Sequence, residues 1–280
     1  MVLEELKEGA HLVGQYPVLW ISGIVTGLLA AALWILLNFM GTFFTSRLIL
    51  FAGLVLVLFI GGAYGVMKIG SGSLRTLVTE GARYYFRVLL PQLVVMFAVM
   101  LLFILVMITM TLVTGGTPDV MFLSMLSMFI TIPTLLLTFF YDTAAVLEDK
   151  RVFDSLKRSI EITANHTGET LLFFIVSIAI CFADFFVLSL VWEAALFDKL
   201  EPIMTYNETQ IANFTPDQLL AMIGPDGVWL TAVVIFIGCV LIVPLLLAYK
   251  FCFFKKLAGS PGAVQQMTGE YDSKGRWYKY

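Results

Sequence analysis

Few residues in this sequence have both the type and the setting to do chemistry, and most are charged groups set against apolar tracts. Asp184 is the sharpest case. It lies in Phe182-Ala183-Asp184-Phe185-Phe186, inside a long stretch otherwise free of charge. A carboxylate in hydrocarbon costs roughly 3 kcal/mol even on insertion scales, so it must be protonated, paired or turned to a wet cavity. Two readings stay open for it: a proton, cation or substrate site, or a neutral acid hydrogen-bonded to a neighbouring helix. Arg47 and Lys199 are the basic residues placed to reach it. A second set is basic: Arg75, Arg83, Arg87, Lys150, Arg151, Lys157 and Arg158. Such a cluster suits the headgroup of an acidic lipid, although the general bias of cations toward the cytoplasmic side also accounts for it. A third set closes the chain, where Arg276, Trp277, Tyr278, Lys279 and Tyr280 interleave cations and aromatics. That mixture suits a membrane interface or a docking segment for a cytoplasmic partner, with a plain disordered end as the equal alternative.

Catalytic motifs are missing. The sequence carries no HExxH, no GxSxG with a serviceable histidine, no phosphate loop and no paired aspartates within an apolar tract. Cys181, Cys239 and Cys252 lie in or beside apolar tracts with no CxxC spacing, and His11 and His166 are far apart. The expectation is a protein that is not an enzyme, holds no metal or cofactor and binds no nucleic acid.

What must position these groups follows from composition. Of 280 residues, 60% are hydrophobic and 13% charged, with mean hydropathy +0.93. A soluble domain is about half apolar and about a quarter charged, so lipid has to solvate much of this chain. Six tracts reach the roughly 20 apolar residues that a spanning helix needs: Val18–Phe39, Leu48–Met67, Val88–Val113, Val120–Tyr141, Leu171–Trp192 and Val228–Tyr249. With the N-terminus inside, all but Arg47 and Lys199 of the 17 basic residues fall on the cytoplasmic side. Both termini are therefore expected in the cytoplasm. The acidic opening Met-Val-Leu-Glu-Glu-Leu-Lys-Glu is not that of a cleavable signal.

A repeating plan runs through the spans. Three amphipathic segments precede pairs of spans: Val2 to Val13, Leu74 to Val88 and Val152 to Ala164. Their apolar stripes are Leu3, Leu6, Ala10 and Val13; then Leu74, Leu77, Val78, Gly81, Tyr85 and Val88; then Phe153, Leu156, Ile160 and Ala164. Spacings of three and four are helical, and segments so short and charged should lie in the headgroup layer. Glu8-Gly9-Ala10 recurs as Glu80-Gly81-Ala82, and the second span of each pair carries a helix-weakening element: Gly61-Gly62, Pro133 and Pro244. Gly23-x-x-x-Gly27 and Gly61-x-x-x-Gly65, both in one unit, offer small faces for dimerisation or, the favoured use, for packing helices within one chain. The expected organisation is a six-helix transmembrane domain over 1–258, with units of about 1–70, 71–147 and 148–258, followed by a cytoplasmic tail over 259–280. Its fold class is all-α, polytopic, with three interfacial helices in a threefold repeat.

The long outer loop, about 193 to 227, carries two glycosylation triplets, at Asn207 and Asn213. Thr215-Pro216-Asp217-Gln218 reads as a capping box with proline at the first helical position. It predicts a short helix from Pro216 to Ile223, stopped by Gly224-Pro225.

Tyr141-Asp-Thr-Ala-Ala-Val-Leu-Glu148-Asp149 and the following Phe153-Asp-Ser-Leu-Lys-Arg158-Ser159 resemble a segment of uncharacterised prokaryotic multi-span membrane proteins. That group includes archaeal stand-alone members and the membrane domain beside bacterial glycerophosphoryl diester phosphodiesterases. The matching positions are Val146, Glu148, Asp149, Leu156, Arg158 and Ser159. The resemblance implies a fold and a prokaryotic plasma membrane, and no activity. Two functional classes follow: a non-catalytic scaffold or accessory protein contacting lipids or partner proteins, and a small transporter or channel using Asp184. The shortage of polar residues within the spans favours the first.

Overall fold

The computed structural model describes residues 2–114, 119–259, 269–271 and 277–279. Its elements are α1 (Val2–Gln15), α2 (Trp20–Met40), α3 (Thr42–Ile69), α4 (Leu74–Thr114), α5 (Val120–Thr138), α6 (Tyr141–Leu147), α7 (Val152–Asn165), α8 (Thr167–Ala195), α9 (Phe197–Leu200), α10 (Glu208–Ala212) and α11 (Pro216–Gly259). Two three-residue strands, Gly269–Tyr271 and Trp277–Lys279, pair antiparallel in the tail. Everything else regular among the described residues is helix, and six stretches are long and apolar enough to cross a membrane: 17–40, 42–69, 74–113, 121–147, 167–195 and 216–259. Helix is the form required there, because hydrocarbon cannot satisfy free backbone groups.

Glycines in the left-handed or otherwise positive-φ region punctuate the chain. Gly41 (φ 76°) turns α2 into α3. Gly70 (φ 74°) ends α3, its N–H donating to the Val66 carbonyl. The capping box at Thr215 forms as its residues predict: the Thr215 N–H donates to Gln218 Oε1 (2.9 Å) and the Gln218 N–H to Thr215 Oγ1 (3.4 Å). Gly224 (φ 66°) then kinks α11 just before Pro225. A second box, Asn207 with Gln210, starts α10.

The helices meet at one end, the base, which holds α1, α6, α7, the start of α4 and α8, and the ends of α3 and α11. Nearly all buried apolar residues lie there. No described side chain in the second half of α4 or in α5 is buried, so these two helices stand apart toward the opposite end, the rim, while α2 keeps to α11 there through Gly27 on Phe236 and the Trp34 indole on the Val228 carbonyl. Packing at close range depends on small residues. A Cβ built on Gly81 would sit 2.4 Å from the Leu58 carbonyl oxygen, and one on Gly9 would sit 2.8 Å from the Tyr249 nitrogen. In α7 the corresponding contact is made by Ser159, whose Oγ donates to the Leu137 carbonyl (2.8 Å) and accepts from the Phe140 N–H (2.9 Å).

Several expectations change in detail. The second amphipathic segment and the third span are one helix, α4, which carries Pro91 within it. Nothing between Arg87 and Val88 breaks a helix, and Pro91 removes a single donor. The fourth span does break, between α5 and α6, six residues beyond Pro133, where Ser159 takes up the freed N–H of Phe140. Gly61 and Gly62 do not weaken α3, which is continuous; Gly62 and Gly65 are where α4 comes close. Gly23 and Gly27 pack within the chain, against Val240 and Phe236 of α11. The stripes also differ. The faces buried on the bundle are Val2, Glu5, Gly9 and Val13; Leu77, Glu80, Gly81, Tyr84 and Val88; and Ser155, Ser159, Ile162 and Thr163. Leu3 (66%), Leu74 (57%) and Phe153 (72%), marked as apolar stripe by periodicity, are exposed. Small or hydrogen-bonding residues win the protein-facing side because backbones can approach them closely.

Gly81→Val should therefore lower the thermal unfolding midpoint in detergent, by an overpacking cost of about 1–3 kcal/mol. Gly53→Ala, whose added Cβ meets nothing within 4 Å, should leave it unchanged. Fluorescence-monitored melts of the two variants check this.

Candidate functional site

Charge buried in the base forms the most organised polar feature. Asp142 sits at the start of α6, just past the break, where the chain comes nearest to α3 and α11. Lys250 of α11 donates to its Oδ2 (2.8 Å) and lies 2.7 Å from its Oδ1, and the Tyr64 hydroxyl of α3 donates to Oδ2 (3.4 Å). The Thr143 N–H adds a further donor at 2.7 Å. All three side chains are buried, and the Lys250 ammonium also lies 4.0 Å from the centre of the Phe139 ring. Around them Phe173 stacks on Tyr249 and Phe253 at 4.5 and 4.6 Å, with Phe140 and Phe254 fully buried beside them.

A second, wetter cluster lies next to it. Asp149 adopts φ 53°, a left-handed conformation that aspartate tolerates better than most residues. Lys68 donates to its Oδ2 (2.6 Å), Tyr84 to its Oδ1 (2.8 Å), and Arg87 lies 3.3 Å away. Lys68 also donates to the Val146 carbonyl, capping the end of α6. The Lys68 ammonium, reinforced by Tyr84 and Arg87, holds the Asp149 carboxyl below the usual carboxylate range. Further out, Arg158 and Lys150 share Glu148 (3.0 and 3.8 Å), and Lys256 pairs with the buried Glu5.

The basic residues marked as headgroup contacts are thus mostly engaged by carboxylates of the same chain. Arg83 is 3.6 Å from Glu80, and Lys157 is 3.9 Å from Glu161. Arg75 and Arg151 are exposed. Asp184 lies on α8 and lines an open groove of about 530 Å³ against α11 with Phe185, Leu188, Trp192, Thr231 and Gly238. Neither candidate partner pairs with it. Arg47 stays on Phe43 of its own helix, and Lys199 binds the Ile223 carbonyl and Asp226. Asn207 caps α10, and the Asn213 amide donates to the Thr209 carbonyl. In the tail, Trp277 and Tyr278 fall within the short strand pair, while Arg276 and Tyr280 lie outside the described residues.

This geometry runs the length of the chain, from Glu5 to Lys256, and a family profile matches over the same extent, residues 1–257. The chain belongs to the DUF7847 family. The description of that family is a domain of unknown function, with no link to glycerophosphoryl diester phosphodiesterases or to an archaeal source. No curated protein and no solved structure matches the chain.

The sequence puts Asp142 and Lys250 immediately after the fourth and sixth apolar tracts, and nothing in it pairs them. The signal available was their matched position: each is a single charge directly after the tyrosine that ends its apolar tract, Tyr141 and Tyr249.

Two outcomes are expected. Asp142→Asn or Lys250→Met alone strands a buried charge and should cost about 3–5 kcal/mol, while the double variant should recover much of the loss. Melts of all three in detergent measure this. Asp149 is depressed in the folded state, so its contribution is complete above the unfolded carboxylate pKa and is lost as pH falls through the folded value. Melting midpoints between pH 6 and about pH 3 should fall more steeply for the wild type than for Asp149→Asn.

Proposed function

We propose that this DUF7847 chain is a non-catalytic scaffold or accessory protein of a prokaryotic plasma membrane, with both termini cytoplasmic. One observation carries the reading: the base is filled. Phe140, Phe173, Tyr249 and Phe254 and the Asp142–Lys250–Tyr64 group close it with side chains that are buried. A permeation path needs groups that replace water around the permeant, and a stacked aromatic floor is poor material for one.

The reading includes a threefold repeat. Gly9, Gly81 and Ser159 take equivalent places on three amphipathic helices. Tyr64, Asp142 and Lys250 come one from the second span of each unit. The exposed Leu3, Leu74, Val78, Phe153 and Ile160 would enter the headgroup layer, with Arg75 and Arg151 toward acidic lipids. The tail around Trp277 and Tyr278 would meet a cytoplasmic partner. Kinship with the membrane domain beside the phosphodiesterases belongs to the same proposal.

The second reading, a small transporter, is favoured by the open groove at Asp184. Proteoliposomes separate the two. The scaffold should give proton, sodium and potassium flux no greater than empty vesicles, with Asp184→Asn indistinguishable from wild type. Flux above that background, abolished by Asp184→Asn, would establish the transporter instead.

A further inference from the structure

The Asp184 groove leaves an acid open between two spans in the rim half. Among the described residues, Asp184 makes no hydrogen bond or ion pair. Its carboxylate lies against Gly238 of α11: a Cβ built there would be 3.2 Å from Oδ2. Above it Trp192 is fixed, its indole N–H donating to Thr231 Oγ1 (2.8 Å), which in turn donates to the Gly227 carbonyl (2.7 Å). The walls are therefore set before anything enters, and an acid stands on the floor.

Depth says what enters. Trp192 and Glu193 mark the outer interface of α8. Asp184 lies eight residues deeper than Trp192, about 12 Å at 1.5 Å per residue, close to the bilayer midplane, which is about 15 Å down. The amine of a lipid sits at the interface and does not reach that level. A side chain carried on a helix is held at its depth by the helix. The groove spans about three turns of α11, from Thr231 to Ile242, the length over which one helix packs against a pair.

A second copy of this chain cannot supply the base. Lys250 is consumed by Asp142, Lys199 by the Ile223 carbonyl and Asp226, and Arg47 stands near the rim on Phe43. The other cations belong to the base or the tail.

We propose that this groove receives a transmembrane helix of a partner protein that carries a lysine or arginine level with Asp184. The inference rests on the scaffold reading, since it gives the scaffold its membrane partner. The paired charges would offset each other's cost in hydrocarbon, and the aromatic walls would take the apolar side chains one turn to either side.

The test uses the full chain in phosphatidylcholine vesicles, labelled with an acceptor at its C-terminus. The probes are two synthetic 24-residue leucine–alanine helices bearing a donor, one with a single central lysine and one with leucine in its place. Energy transfer should show the lysine helix binding about tenfold more tightly than its control. Asp184→Asn should abolish that preference, and Asp184→Glu should keep most of it. Unchanged melting of both variants would confirm that folding is not the cause. Equal binding of the two helices to wild type, or a preference that survives in Asp184→Asn, overturns the proposal. So does Asp184-dependent self-association, or saturable dodecylamine binding without preference for the lysine helix, because each gives the groove another occupant. Flux in the same vesicles bears on the scaffold reading alone, so the two failures are distinguishable.

Discussion

The buried pair of Asp142 and Lys250 governs the base of this protein. It joins segments 108 residues apart, and Tyr64 brings in a third. Taking two charges out of water is expensive, and a well-packed apolar substitute is often as stable. The pair therefore matters less as a source of stability than as a condition on geometry. Only one register of α3, α6 and α11 lets the ammonium reach both carboxylate oxygens while the phenol closes the remaining side. Any slip leaves a charge stranded among Phe139, Phe140 and Tyr249. The close approach at Gly9 acts in the same direction, since it fixes α1 against the turn of α11 that presents Lys250.

Why polar chemistry should set register here follows from the solvent. Between helices in a bilayer, apolar side chains gain little from one another, since lipid tails are equally apolar. Leucine and phenylalanine along α4 and α5 can face lipid as well as protein, and they do so over much of their length. What distinguishes the right neighbour is backbone proximity at small residues and hydrogen bonding that lipid cannot replace. Both are concentrated in the base, at Gly62, Gly81, Ser159, Asp142 and Asp149. The rim has fewer of them and is open.

This division also explains what could be read from the sequence. The six spans were legible because their signal is bulk hydropathy, which needs no partner. The capping box at Thr215 and the kink at Gly224 were legible because they are local. The facing of α1, of the start of α4 and of α7 was not. Periodicity finds the apolar stripe, and in all three helices part of that stripe looks away from the bundle, while Gly9 and Ser159, which lie outside it, and Gly81, within it, look toward the bundle. Hydropathy ranks a glycine or serine below a leucine, although the smaller residue is what permits contact. The break before Tyr141 was missed for a related reason: it depends on Ser159, nineteen residues away, and not on the nearby Pro133. Asp184 was visible as an anomaly, and its groove was not, because a groove is a property of two helices.

The base and the rim then stand in a definite relation. A bundle buried most fully at one end leaves exposed helix faces toward the other, free to accept a neighbour without first breaking contacts of its own. The cost of ordering is met in the base, where Asp142, Lys250 and Tyr64 set the angles at which α3 and α11 leave. α8 is aligned on α11 from the base side by Phe173 on Tyr249, and near the rim by Trp192 on Thr231. Asp184 lies between these two points of attachment. Its carboxylate is thereby held at one depth and one azimuth, and an association that depends on meeting it gains specificity from position as well as from charge.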